Sequence, residues 1–194
     1  MVNGGNRMLS GLKTAVLLAG LLMVQASHAG DLYNMLEWMV TFSRTKEVRP
    51  VTSKPYLEEC GACHFAYQPG LLPQRSWEKL LNADALRDHF GDNAELDKNT
   101  LQVVHDYAIK NAADHSFYKR SRKIDLATEE GAAPLRITEV SYIKRTHKNI
   151  PDRMVRDNQS VKSLSHCDKC HTQADKGVFD DDTVSIPNFP DWRD

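Results

Sequence analysis

The chain has 194 residues, 41% of them hydrophobic, a size that fits one domain or two small ones. Its formal charge is −1, which leaves no electrostatic footprint for nucleic acid. Residues 1–29 carry Arg7 and Lys13, no acidic side chain, an apolar run over 15–24, and the small residues Ser27 and Ala29. That succession is the order of a secretory signal. Ten apolar residues rise about 15 Å as a helix, roughly half of a bilayer's hydrocarbon core, so the segment reads as a cleaved leader rather than a stable membrane anchor. Cleavage after Ala29 takes the formal charge from −1 to −3 and places the mature chain outside the cytoplasm.

Beyond the leader the pattern is helical. Helices are expected over 31–43, 56–65, 76–90, 97–113, 139–147 and 163–174, with Gly- and Pro-containing connections and no convincing strand alternation. Ser76 and Thr138 read as N-caps. In 76–90, Trp77, Leu80 and Leu81 lie opposite Leu86, His89 and Phe90, so this helix either breaks near 82–84 or is buried on two faces. A break over 120–134 suggests two lobes, 30–125 and 126–194. The tail from Phe179 is expected to be extended, its aromatics and prolines too sparse to form a core.

All four cysteines fall in one pattern used twice, Cys60–Cys63–His64 and Cys167–Cys170–His171. A thioredoxin-like dithiol needs neither the trailing histidine nor the repeat, and no βαβ pattern surrounds either copy. A four-cysteine zinc site would bring its pairs about 15–20 residues apart, not about a hundred. Covalent haem accounts for both features: each cysteine adds to a vinyl group and the next residue offers an imidazole to the iron. Two such pentads predict two c-type haems, with His64 and His171 as proximal ligands.

The second axial ligand decides the chemistry, since methionine raises the potential, histidine lowers it and an open position admits small molecules. Beyond the leader the methionines are Met35, Met39 and Met154. The first two sit in the apolar run over 31–43 and read as core, and Met154 reads as a surface or gap-filling side chain. His166 adjoins Cys167 and reads as local surface, and His115 as a helix-end residue. His89, His105 and His147 remain as candidates. His89 ends a helical pattern beside Phe90 and Gly91, His105 lies on the apolar face of 101–112, and His147 shares a face with Val140 and Ile143. Lys144, Arg145 and Lys148 form a solvated face or meet haem propionates.

Taken together, residues 59–73 around the first pentad, His89–Ala94, Asn111–Asp114, Pro134–Thr138, Lys144–His147 and the second pentad closely resemble the bacterial dihaem cytochrome c family. The resemblance spans roughly residues 50–182 and leaves 31–49 outside it. It implies a periplasmic protein with two bis-histidine haems that pass electrons. It assigns the distal positions to His89 and His147 and leaves His105 free.

The fold expected is mainly α, two small haem-bearing helical lobes of cytochrome c type joined by long irregular connections. The function expected is single-electron transfer between redox proteins. The resemblance suggests a membrane b-type cytochrome upstream and a small soluble haem protein downstream, with no nucleic acid involved. A dihaem peroxidase-like enzyme is the alternative, and it requires one open iron position. A haem-based sensor would need an output domain, and no segment of the sequence reads as one.

Overall fold

Local sequence sets where each helix starts and stops. The computed structural model describes residues 47–192, so the leader and the expected helix over 31–43 lie outside the described residues. Among these it has seven α-helices: α1 (Lys54–Cys60), α2 (Gln74–Leu80), α3 (Ala83–Arg87), α4 (Lys98–Lys110), α5 (Lys119–Ala127), α6 (Ser141–Thr146) and α7 (Cys167–Cys170). Short 3-10 turns join them, and β-type pairing among the described residues is confined to three isolated bridges. The mainly α expectation holds.

Ser53 caps α1 by accepting from the Tyr56 N–H at 3.4 Å, and Pro55 sits in its first turn. The helix closes when the Gly61 N–H reaches Leu57 O at 3.0 Å. It therefore ends inside the first pentad rather than running to residue 65. The expected 76–90 helix is broken, and the break falls at Leu81–Asn82. There the Asn82 side chain accepts from the Ala85 N–H at 2.9 Å and starts α3. Ser76 is not the cap: the chain enters α2 at Pro73, and Ser76 is buried within the helix. Thr138 likewise lies in a 3-10 turn, and α6 begins from Val140. Asp97 starts α4, accepting from the N–H groups of Asn99 and Thr100 at 2.9 and 3.2 Å.

A helix also occupies part of the expected break over 120–134. α5 is strongly polar, buries only Ser121 and Ile124, and packs against α6. Two buried positions three apart give too little periodicity to be read as a helix from sequence.

α4 packs against both α1 and α2. The main apolar cluster forms around them, with Tyr56, Leu71, Leu72, Val104 and Ile124 each 2% exposed or less. Burying side chains of this kind contributes about 1.5–3 kcal/mol each. The same cluster includes Ile137, Val140, Tyr142, Ala174 and Phe179, so it draws on both sides of residue 125. A second, smaller cluster joins Met154, Val155 and Val161 to Ile186, with Val184, Phe189 and Trp192 packed on it. The tail thus helps to build a core, contrary to expectation, because its few apolar residues meet a partner surface supplied by 154–161.

The start of the described chain is fastened beyond the second pentad. The N–H groups of Glu47 and Val48 both donate to Gly177 O, at 2.9 and 3.0 Å. Gly177 has φ 73°, and a Cβ there would lie 2.1 Å from Val48 O, so only glycine fits.

Candidate haem sites

α1 delivers Cys60 in its last turn, and Cys63 and His64 follow just outside the helix. His64 Nδ1 is 2.8 Å from its neighbour's carbonyl, Phe65 O, and with the proton on Nδ1 the lone pair of Nε2 is left for a metal. Opposite stands His89, two residues beyond α3. A tight turn aims it: the His89 N–H donates to Asp92 O at 2.7 Å and the Gly91 N–H to Asp88 Oδ1 at 2.9 Å. The turn needs φ 60° at Phe90 and 105° at Gly91. Positive φ is unusual for a bulky residue and marks local strain of the kind found at functional sites. The Arg136 guanidinium lies 3.9 Å over the Phe90 ring. The ring centres of His64 and His89 are 6.3 Å apart, with planes 20° from parallel.

The second site is built the same way from other elements. His147 ends α6, and its Nδ1 is 2.9 Å from Ile143 O. α7 carries Cys167 and Cys170 on one turn, and the His171 N–H closes on Cys167 O at 2.8 Å. The ring centres of His147 and His171 are 6.1 Å apart, with planes at 72°. Phe179 packs 5.2 Å from the His171 ring. His171 Nδ1 is buried without a hydrogen-bond partner, a state that calls for an explanation such as a bound group.

These spacings fit an iron between the rings. Two imidazoles on one metal, each nitrogen about 2 Å from it and each ring centre about 1 Å further back, stand roughly 6 Å apart. Among the described residues no group of three or more His, Cys, Asp or Glu side chains converges to hold an ion. Each histidine pair can therefore offer two donors, which fits a group that brings the rest of its own, as a haem would.

Burial favours the neutral imidazole at His171 and His89 and the protonated thiol at Cys60, Cys167 and Cys170. Burial, then His147 and Arg120, pushes the His171 imidazole down to about 4. Burial, then His64 and Arg136, lowers that of His89. Neutral imidazole is the form that binds metal. Burial, reinforced by Glu59, raises the Cys60 thiol to about 12, and burial with Asp168 raises Cys167 to about 12 and Cys170 in the same direction. A redox dithiol needs a lowered thiol, and the shifts at Cys60, Cys167 and Cys170 run the other way.

The other candidates are placed elsewhere. His105 faces its neighbour Asp106 at 3.2 Å, and His115 Nε2 meets Gln74 Oε1 at 2.6 Å. His166 Nδ1 turns to Val161 O at 2.5 Å. Met154 is buried in the second cluster, so of the two roles expected of it the gap-filling one holds and the surface one does not. Lys144, Arg145 and Lys148 are exposed. Sequence reasoning missed Tyr67, whose ring lies 5.1 Å from that of His64, and Phe179 against His171. It also missed Arg120, held against Glu47. Only Tyr67 had a signal, standing three residues beyond the first pentad.

Residues 56–179 match the family described as dihaem cytochrome c. Among solved structures, the diheme cytochrome type c from Shewanella baltica OS155 is 38% identical at TM-score 0.59, over 72% of this chain and 97% of that one. A diheme cytochrome c from Rhodobacter sphaeroides is 37% identical at TM-score 0.59, over 68% of this chain and 100% of that one. No curated protein matches. The chain, with its two pentads and paired histidines, belongs to the dihaem cytochrome c family, whose members carry two covalently attached c-type haems and serve as haem-based electron carriers.

Proposed function

We propose that the chain is exported to the periplasm, is cleaved after Ala29, and carries single electrons between redox proteins without acting on a substrate itself. Cys60 and Cys63 hold one haem and Cys167 and Cys170 the other. Each thiol would hold its haem through a thioether, formed by addition across a vinyl double bond with the thiol hydrogen going to the adjacent carbon. His64 and His89 would ligate the first iron, and His171 and His147 the second. The observation that carries this reading is the spacing of the two histidine pairs, 6.3 and 6.1 Å between ring centres.

When bound, each haem provides a one-electron couple whose potential depends on its axial ligands. The chain's own residues hold those ligands in place. The Phe65 and Ile143 carbonyls accept from the Nδ1–H groups of His64 and His147 and so keep each Nε2 free to bind. Histidine on both faces leaves no position for peroxide or oxygen, which is the reason to favour a carrier over a peroxidase-like enzyme. Among the described residues no helix is long and apolar enough to cross a membrane. The near-neutral formal charge favours brief docking, and transient redox interfaces are small, below about 1,200 Å². A membrane b-type cytochrome as donor and a small soluble haem protein as acceptor fit this role.

Stopped-flow mixing tests the proposal. The fully reduced holoprotein should pass its electrons rapidly to an acceptor cytochrome c and react slowly with peroxide. Fast, multi-turnover consumption of peroxide would overturn the carrier reading.

A further inference from the structure

The two haem sites come from distant parts of the chain, yet one short segment touches both. The Tyr67 ring lies 5.1 Å from the His64 ring at an interplanar angle of 34°. Its hydroxyl donates to Ser165 O at 2.5 Å, across 98 residues of sequence and two residues before Cys167. The next residue, Gln68, is 1% exposed, and its Nε2 donates to Ala174 O, three residues after His171. The second pentad is therefore gripped on both sides by side chains that directly follow the first. Phe65 braces the Tyr67 ring edge-on at 5.6 Å. A tyrosine that merely filled the core would have no reason to place its ring on an axial ligand of one site and its hydroxyl on the attachment segment of the other.

We propose that Tyr67, backed by Gln68, is the positioning residue that fixes the two haem sites relative to each other and so sets the rate of electron exchange between them. The inference rests on the reading that His64 is an axial ligand. The exchange moves one electron, oxidising the donor iron and reducing the acceptor, and no bond or proton changes at Tyr67. The ring fixes the orientation of the His64 imidazole, and the hydroxyl fixes the distance to the second pentad.

The two parts are separable by mutation of the holoprotein. Tyr67→Phe keeps the ring and loses the Ser165 link. It should leave the ferric electron paramagnetic resonance signal of the His64–His89 site unchanged and slow exchange, followed after flash reduction of one haem per molecule, by about twofold or more, the factor that ~0.4 kcal/mol on the barrier gives. Tyr67→Leu loses both contacts and should alter that signal as well, and Gln68→Leu should slow exchange with the signal intact. Should Tyr67→Leu fail to retain haem, Tyr67→Phe still decides the matter. Exchange at the unmutated rate in Tyr67→Phe and Gln68→Leu overturns the proposal, even if their thermal stability falls. High-spin iron in the unmutated protein would instead overturn the axial assignment, and the rate comparison between variants would still be readable.

Discussion

Arg120 links the start of the described chain to the second haem site, and replacing it by methionine should cost much of the protein's stability. The Glu47 side chain is 4% exposed and that of Arg120 is 12%. The guanidinium grips Glu47 with two of its nitrogens, the Nε bond being 3.0 Å. It also donates to Tyr142 Oη at 3.1 Å and to Phe179 O at 2.9 Å. Methionine would fill most of the volume but leave Glu47 buried, with only Lys119 at 3.5 Å, itself 41% exposed. Removing one partner of a buried pair costs about 3–5 kcal/mol, and the remaining Lys119 contact places this case near the lower end. For a chain of this size the melting temperature should fall by about 6–12 °C. Thermal and urea unfolding of the ferric holoprotein, followed by circular dichroism, measures the loss. Because Phe179 packs 5.2 Å from His171, the spectroscopic signature of the second site should shift and that of the first should not. A loss below about 1 kcal/mol, the worth of an exposed pair, would refute the reasoning.

The ring planes differ by 20° at the first site and 72° at the second, and this angle governs how the imidazole π orbitals split the iron d orbitals. Ferric electron paramagnetic resonance should therefore show two distinct low-spin signals. His89→Ala should remove the one from the near-parallel pair and His105→Ala neither, and a single shared signal would contradict the geometry. Ile186, 2% exposed in the second cluster, should cost about 2–4 kcal/mol in urea unfolding when changed to alanine. A value near zero would mean that the tail forms no core. Gly177→Ala should destabilise by about 1–3 kcal/mol or more, through its left-handed backbone and the overlap of its Cβ with Val48 O, with both haems still present by mass spectrometry.

The attachment pentads were legible because covalent chemistry fixes residue type and spacing whatever the fold around them. The histidines that face His64 and His171 were not legible from periodicity. His105 lies on an apolar face as plausibly as the others; the family resemblance sets it aside, and three-dimensional placement turns it toward Asp106 while bringing His89 to His64 and His147 to His171. α5 went unread because it is held by the Glu47–Arg120 pair and two buried positions, none of which leaves a helical stripe. The tail's role was hidden for a similar reason. Ile186 and Phe189 look sparse until Met154, Val155 and Val161 are placed beneath them. α7 is shorter than the pattern suggested, since His171 leaves the helix to bridge with Val184.

On the proposed ligation a histidine stands on each side of both irons. The direct test is the optical spectrum of the fully reduced holoprotein before and after addition of carbon monoxide. Six-coordinate, low-spin haem in both oxidation states and no carbon monoxide adduct is the predicted result. Prompt carbon monoxide binding at either haem of the unmutated protein would contradict it and open the way to chemistry on a substrate.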